Sequence, residues 1–214
     1  MIANVLLELR PDELLSTTRA VRRRLDLERP VERDVLLECF RLAQQAPTAG
    51  FAQNWHFAVV TDPELRRGLG ELWRRSGEPY VARRAAETGP GVNRILDSVR
   101  HLLDHIHEVP VHVIPCVEGR TDGKAGWLQA SRWASIMPAA WSFMLAARSR
   151  GLGSVWTTFH LAYEREAADL LGIPYDDVMQ AALIPVAYTL GAEFRPGRRK
   201  PVETMLHWDR WSAG

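Results

Sequence analysis

Four short apolar runs set the plan of this chain: FAVVTD at 57–62, VHVIPCVEG at 111–119, GSVWTTF at 153–159 and LIPVAYTLG at 183–191. Each reads as a strand, and segments with helical spacing lie between them. Val35, Leu36, Cys39, Phe40, Ala43 and Ala46 form one apolar stripe, and Val92, Ile95, Leu96, Val99, Leu102, Leu103 and Ile106 form another. Residues 11–25 read as a helix ending in the basic run RAVRRRL. Thr61-Asp62-Pro63-Glu64 opens a further helix with capping-box spacing and an early proline. The apolar helix 130–150 stops at Gly151, and YEREAADLLG stops at Gly172 and Pro174. Residues 74–91 are polar, and Gly77, Pro79, Gly89 and Pro90 are expected to break any long helix there. Helices between most strands, without repeats or low-complexity linkers, predict an α/β or α+β layered domain.

The stretch AQQAPTAGFAQNWHF at 43–57 is the most informative about function. Ala-Pro-Thr ends a helix, because proline lacks an N–H and disfavours helical geometry in the residue before it. Gly50 adds backbone freedom, and Gln53, Asn54 and Trp55 place two amides and an indole at a strand entrance. A pocket for a flat heterocycle uses that combination. The net charge of +1 gives no drive toward nucleic acid or an anionic membrane. Cys39 and Cys116 read as small core residues in a reducing compartment. MIANVLLELRPDE lacks the basic start and long apolar region of a secretory signal. The longest uncharged stretch, residues 133–147, contains Pro138 and is too short to span a bilayer. A cytoplasmic protein is expected.

Several features can carry chemistry. Arg19 and Arg23, at i and i+4 if helical, can fork onto one phosphate, whereas a solvated basic face is the plainer reading. RPGRRK at 195–200 has the same two readings. His101 and His105, with Asp104 or Glu108, have a spacing that can hold zinc, but HExxH is absent and a polar helix face is favoured. GLGS at 151–154 follows a helix rather than a strand and is no dinucleotide fingerprint, and no nucleophile motif is visible. Most of the eight tryptophans read as packing.

Taken in order, four motifs resemble the nitroreductase family of FMN-dependent, NAD(P)H-using oxidoreductases. RAVRRRLD at 19–26 is similar to its Arg-x-Ser-x-(Arg/Lys)-x-Phe opening, and APTAGFAQNW to its Ala-Pro-Ser-x-x-Asn-x-Gln-Pro-Trp. MLAARSRGLGSVW followed by Leu171–Pro174 resembles its Gly-Leu-Gly segment, and RRKPVETMLHWDRW its basic, then aromatic, tail. The resemblance spans about residues 11 to 211. It implies one α+β domain over 1–214, with a mostly antiparallel sheet of four to five strands between helical layers. Residues 74–110 are expected as a lid, and the C-terminal segment is expected to extend onto a partner subunit.

The resemblance also implies an FMN site at the interface of a homodimer. Arg19, Arg198 and Arg199 would converge on the phosphate, with Ala20 and Val21 beside the cofactor. Arg23 would stand at the flavin N1–C2=O edge as its electrostatic stabiliser. Pro47, Thr48, Ala49 and Phe51 would reach the flavin across the interface, and Trp156, Thr157 and Thr158 would line the ring, a backbone N–H there bonding N5. No metal and no acid–base side chain is implied. Val21 replaces the usual serine, Phe51 the usual asparagine, and Asn54 the proline before Trp55. The favoured function is hydride transfer from NAD(P)H to a nitro compound, quinone or similar small acceptor. A flavin-fragmenting or dehalogenating enzyme on the same fold, and a flavin-storage protein with little turnover, remain open.

Overall fold

The computed structural model describes residues 6–88 and 93–211. Helices α1 (Pro11–Thr17) and α2 (Arg33–Ala43) precede strand β1 (Trp55–Val60). Two helices, α3 (Pro63–Thr88) and α4 (Arg94–His105), lead to β2 (Val111–Glu118). Then follow α5 (Gly126–Ser149), β3 (Leu152–Ser154), α6 (Glu164–Leu171), β4 (Val178–Gln180) and β5 (Ile184–Tyr188). The strands form one antiparallel sheet in the order β1-β2-β5-β3, with β4 pairing on β2. This is the expected α+β architecture, and the strand from the fourth apolar run is preceded by β4, a short extra strand.

β2 is the centre of the sheet. Every residue from Val111 to Val117 is buried, and only Glu118 reaches solvent. The alternation of a strand sends its two sets of side chains into different helical layers. Ile114 and Cys116 pack with Trp73 of α3 and Leu102 and Leu103 of α4. Val111 and Val113 pack with Leu36 and Cys39 of α2 and Phe143 of α5. The fold is therefore three layers. Cys39 and Cys116 are buried free thiols, pushed by burial up to about 11 and about 12.

Two helical expectations change. The first helix stops at Thr17, and the basic run after it is not helical. Thr17 and Thr18 donate their hydroxyls back to the Glu13 and Leu14 carbonyls, and Thr18 is already extended. Conversely, Gly77 and Pro79 do not break α3, which runs through both. Gly77 is a packing notch: a Cβ there would stand 2.7 Å from Leu103 Cδ2 and 2.9 Å from Phe159 Cδ2. Buried Trp73 and Val81 flank it, and Arg74 pairs with Glu71 and Glu78 on the solvent side. Tertiary packing thus outweighs the helix propensity lost at one glycine and one proline. Gly89, Pro90 and Val92 lie outside the described residues.

The start and stop signals behave as expected elsewhere. Asp62 Oδ1 accepts the N–H groups of Glu64 and Leu65, so the aspartate caps α3. Gly172, at φ 69°, ends α6, and Ile173 N–H returns to the Ala168 carbonyl. His101 and His105 lie ring against ring at 4.6 Å on α4, and His105 Nδ1 pairs with Glu108 at 2.9 Å.

Two fully buried histidines make a prediction about pH. Burial lowers the His112 imidazole to about 4 and the His160 imidazole to about 3. Both are therefore neutral in the folded chain down to those values, whereas the unfolded chain protonates them near the ordinary 6.5. Their contribution is complete above that value and is lost as pH falls through the window below it. Stability should drop by about 1.4 kcal/mol per pH unit for each histidine between about pH 6.5 and about pH 4. Urea unfolding across that window should show a shallower slope for His112→Gln; an unchanged slope would contradict the assignment.

Candidate functional site

The basic run is laid along the edge of the sheet by its apolar residues. Val21 and Leu25 are buried, while Arg19 and Arg23 are exposed and Arg22 and Arg24 half-buried. Val21 N–H donates to the Ser154 carbonyl at 2.9 Å, and Ala20 bridges Ser154 in parallel. Four residues on, Leu190 N–H donates to Arg24 O and Asp26 N–H to Tyr188 O, both at 2.8 Å. The segment therefore closes the β3 edge as a paired ribbon. Gly153 is what lets it in: a Cβ there would meet Thr189 Cγ2 at 2.6 Å and Val21 Cβ at 3.0 Å. Arg19 and Arg23 are thus presented by a pinned loop and not by one face of a helix.

The loop from Leu190 to Arg195 is gathered onto this ribbon by arginine. Arg24 donates to the carbonyls of Leu190, Gly191 and Glu193 at 2.8–2.9 Å. Its guanidinium lies 4.2 Å from the centroid of the Phe194 ring, and that of buried Arg148 lies 4.8 Å from it. Arg148 Nη2 also donates to Ala192 O. Arg19 Nη1 then donates to Arg195 O at 3.2 Å. So the first basic run and the start of the second, far apart in sequence, meet in space. Arg198 and Arg199 follow with exposed side chains, Arg199 Nη1 donating to Arg198 O.

A cleft of about 340 Å³ opens here, between residues 19–24, Phe194 and the first turns of α4, where Arg94, Ile95 and Ser98 line it. Arginine supplies all of its charge. Among the described residues, no carboxylate lines it. The helix α4 also brings His101 toward Arg23. Burial, then His105 and Arg23, lowers that imidazole, so His101 is neutral near pH 7. Reading the sequence did not single out Arg94, Ser98 or Phe194, because nothing in their local spacing tells which element α4 packs against.

The other expected residues are placed differently. Pro47, Thr48, Ala49 and Phe51 do not line this cleft. Their loop is fastened to α5, with Ala49 N–H donating to Ser135 Oγ at 3.1 Å, and closed by Gln53 N–H on Thr48 Oγ1. Phe51 is 81% exposed at φ 55°, with Gly50 and Gln53 also in the left-handed region. Trp156 packs on the core shared with α2 and α5. The Thr157 hydroxyl accepts from Trp73 Nε1 at 2.9 Å and donates to Leu183 O at 2.6 Å, and its N–H goes to the same carbonyl. Thr157 is thereby a brace between α3 and the sheet. Thr158 is exposed beside it.

Comparison with known proteins adds a family. A sequence model for the nitroreductase family matches residues 15–188. A Thermus thermophilus NADH dehydrogenase is 31% identical over 195 residues, covering 84% of this chain and 87% of that protein. A Methanothermobacter thermautotrophicus protein named for NADH dehydrogenase or NAD(P)H nitroreductase activity is 28% identical over 204 residues, covering 93% of this chain and 86% of that protein. The crystal structure of an iodotyrosine deiodinase bound to FMN and 3-iodo-L-tyrosine superposes with a TM-score of 0.69 at 22% identity, over 94% of this chain and 99% of that one. The last similarity is one of fold.

If the missing Cβ of Gly153 seats the basic ribbon, Gly153→Ala should destabilise the chain by about 1–3 kcal/mol, the usual size of overpacking. Denaturant unfolding measures it, and unchanged stability would mean that Val21 and Thr189 give way freely.

Proposed function

The chain belongs to the nitroreductase family, and we propose that it is an FMN-dependent oxidoreductase taking hydride from NAD(P)H to a nitroaromatic, quinone or similar small acceptor. One observation carries this reading: Arg19 meets the start of the basic tail at Arg195, beside a cleft that carries arginine and no carboxylate. A solvated basic face would need neither a concavity nor the exclusion of acids. The residues present fit FMN. When bound, the flavin supplies the relay of two electrons between donor and acceptor.

The chain's own residues then have separable tasks. Arg19, with Arg198 and Arg199, holds the phosphate, its remaining N–H groups being free of Arg195. Arg23 keeps a positive charge at the N1–C2=O edge, where reduction adds negative charge. Ala20 and Val21 supply the wall. Val21 has no hydroxyl to lend it, and its side chain is buried against Gly153. Thr158, and not Thr157, is left to face the ring, because Thr157 is spent on Trp73 and Leu183. The α4 half of residues 74–110 acts as the lid.

The same reading takes a second copy of the chain as partner. On α5, Trp127, Ala130, Ala134, Met137 and Trp141 are exposed at spacings of three and four, an apolar seam of coiled-coil type. Trp127 is 72% exposed. Such a stripe on a single chain calls for a cover. In the dimer, Pro47, Thr48, Ala49 and Phe51 would approach the flavin of the second copy, and the tail with exposed Trp208 and Trp211 would lie over it.

Two experiments test this. The purified protein should show a visible flavin spectrum that bleaches on anaerobic addition of NADPH or NADH, and Arg19→Ala should weaken FMN binding by about 1.5–3 kcal/mol. A colourless chain that takes up no added FMN would end the reading. Met137→Glu combined with Trp141→Lys should convert the dimer to a monomer in light scattering and release the flavin with it; a dimer that survives would remove α5 from the interface.

A further inference from the structure

Of the arginines around the cleft, two are already committed. Arg24 uses its guanidinium on three loop carbonyls and on Phe194, and Arg19 is turned to the tail. Arg22, Arg23 and Arg94 have no hydrogen bond or ion pair with any described residue, and the residues outside that description next to α4, 89–92, carry no charge. Arg23 has a task at the flavin edge. Arg22 and Arg94 have none. One is held half-buried on the ribbon, the other stands in the first turn of the facing helix, and both border the same space.

Two guanidinium groups that border one cleft, with no carboxylate in its described lining, favour the entry of an anion. Arg94 also sits at the positive end of α4, whose Asn93 side chain caps Leu96 N–H. Ser98 adds no donor, since its hydroxyl is given to Ile95 O. The site therefore offers forked cationic donors and a helix dipole, which match a phosphate dianion on a sugar better than a neutral or zwitterionic group. A pyrophosphate carries one charge on each of its two phosphoryl groups and is instead usually cradled by backbone N–H groups, whereas the described lining of this cleft supplies guanidinium forks.

We propose that Arg22 and Arg94 form a phosphate subsite that receives the 2′-phosphate of the nicotinamide donor, so that the protein uses NADPH in preference to NADH. The inference rests on the oxidoreductase reading above but is separable from it. α4, in this view, closes over the donor and not over the flavin phosphate, which belongs to Arg19 and the tail.

The test is calorimetric titration of the purified full-length protein with adenosine 2′,5′-bisphosphate and with adenosine 5′-monophosphate, alongside steady-state KM for NADPH and NADH. The wild type should bind the bisphosphate more tightly. Arg94→Gln and Arg22→Gln should each weaken it roughly tenfold or more, the loss of one charge-assisted hydrogen bond, and raise KM for NADPH with KM for NADH little changed. Arg94→Lys should keep much of the preference, since it keeps the charge. Equal binding of the two nucleotides, or variants that leave the ratio unchanged, would overturn the proposal. So would variants that weaken FMN binding and its visible colour while leaving the nucleotide ratio intact, because Arg22 and Arg94 would then serve the flavin. Should the protein bind no flavin, the oxidoreductase reading fails while the nucleotide titration still decides the subsite. Arg94 is exposed, so its variants fold without disturbing the core.

Discussion

β2 has no solvent face, and most of the structure follows from that. A strand buried on both sides and paired on both edges has no room for charge. Its two buried polar or reactive groups, His112 and Cys116, are both held in their neutral forms by burial, and Glu118 at its end reaches solvent. Chemistry is consequently displaced to segments added at the rim of the sheet. The ribbon 20–26 joins β3, whose pairing is only three residues long, and Gly153 allows the close approach. What the core excludes, the rim collects: an arginine cleft stands beside a layer made almost entirely of aliphatic and aromatic side chains.

That cleft is electrostatically unfavourable when nothing is bound. Arg22 is partly desolvated, its guanidinium without a hydrogen-bond or ion-pair partner among the described residues, and burial lowers that group below the ordinary value. The compensation is local and visible. Arg24 and Arg148 turn their charge onto Phe194 and loop carbonyls, making the rest of the rim rigid while leaving Arg22, Arg23 and Arg94 unsatisfied. Sites that bind anions tightly are built in this way, because donors already in place need no reorganisation when the ligand arrives.

The parts of the fold legible in sequence are those whose signal is local. The stripes of α2 and α4, the stops at Gly151 and Gly172, and the Asp62 cap were all readable, since helix period and left-handed glycine act within a few residues. The basic run misled for the opposite reason. Its spacing fits a helix, but Val21 and Leu25 are recruited by strands more than a hundred residues away. Pro79 misled likewise, because Leu103 and Phe159, which fill the notch at Gly77, lie far along the chain. At the site, the family's motif order raised the two arginine runs as candidates for one ligand, and the structure brings Arg19 to Arg195 O. That Thr157 faces Trp73, and that α4 faces Arg23, depends on tertiary packing which no spacing encodes.

The loop 47–53 carries strain that contacts within the chain do not offset. Phe51 and Gln53 hold left-handed backbone, an expense of about 1–2 kcal/mol for each non-glycine residue, and Phe51 is left in solvent. Hydrogen bonds from Ala49 to Ser135 and from Gln53 to the Thr48 hydroxyl fix the loop, together with Phe51 N–H to Thr48 O and Ala52 N–H to Ala49 O, and these determine its shape without burying its aromatic side chain. Ser135 belongs to the same helix as the exposed seam from Trp127 to Trp141. Rigid anchoring to α5 therefore fixes Phe51 in relation to that seam. In the proposed dimer, pairing of two seams would aim each loop at the other chain, and burial of Phe51, at about 25 cal/mol per Å² of apolar surface, would offset the strain that the isolated chain carries. Strained backbone and uncovered seam then have one explanation: the second copy completes both.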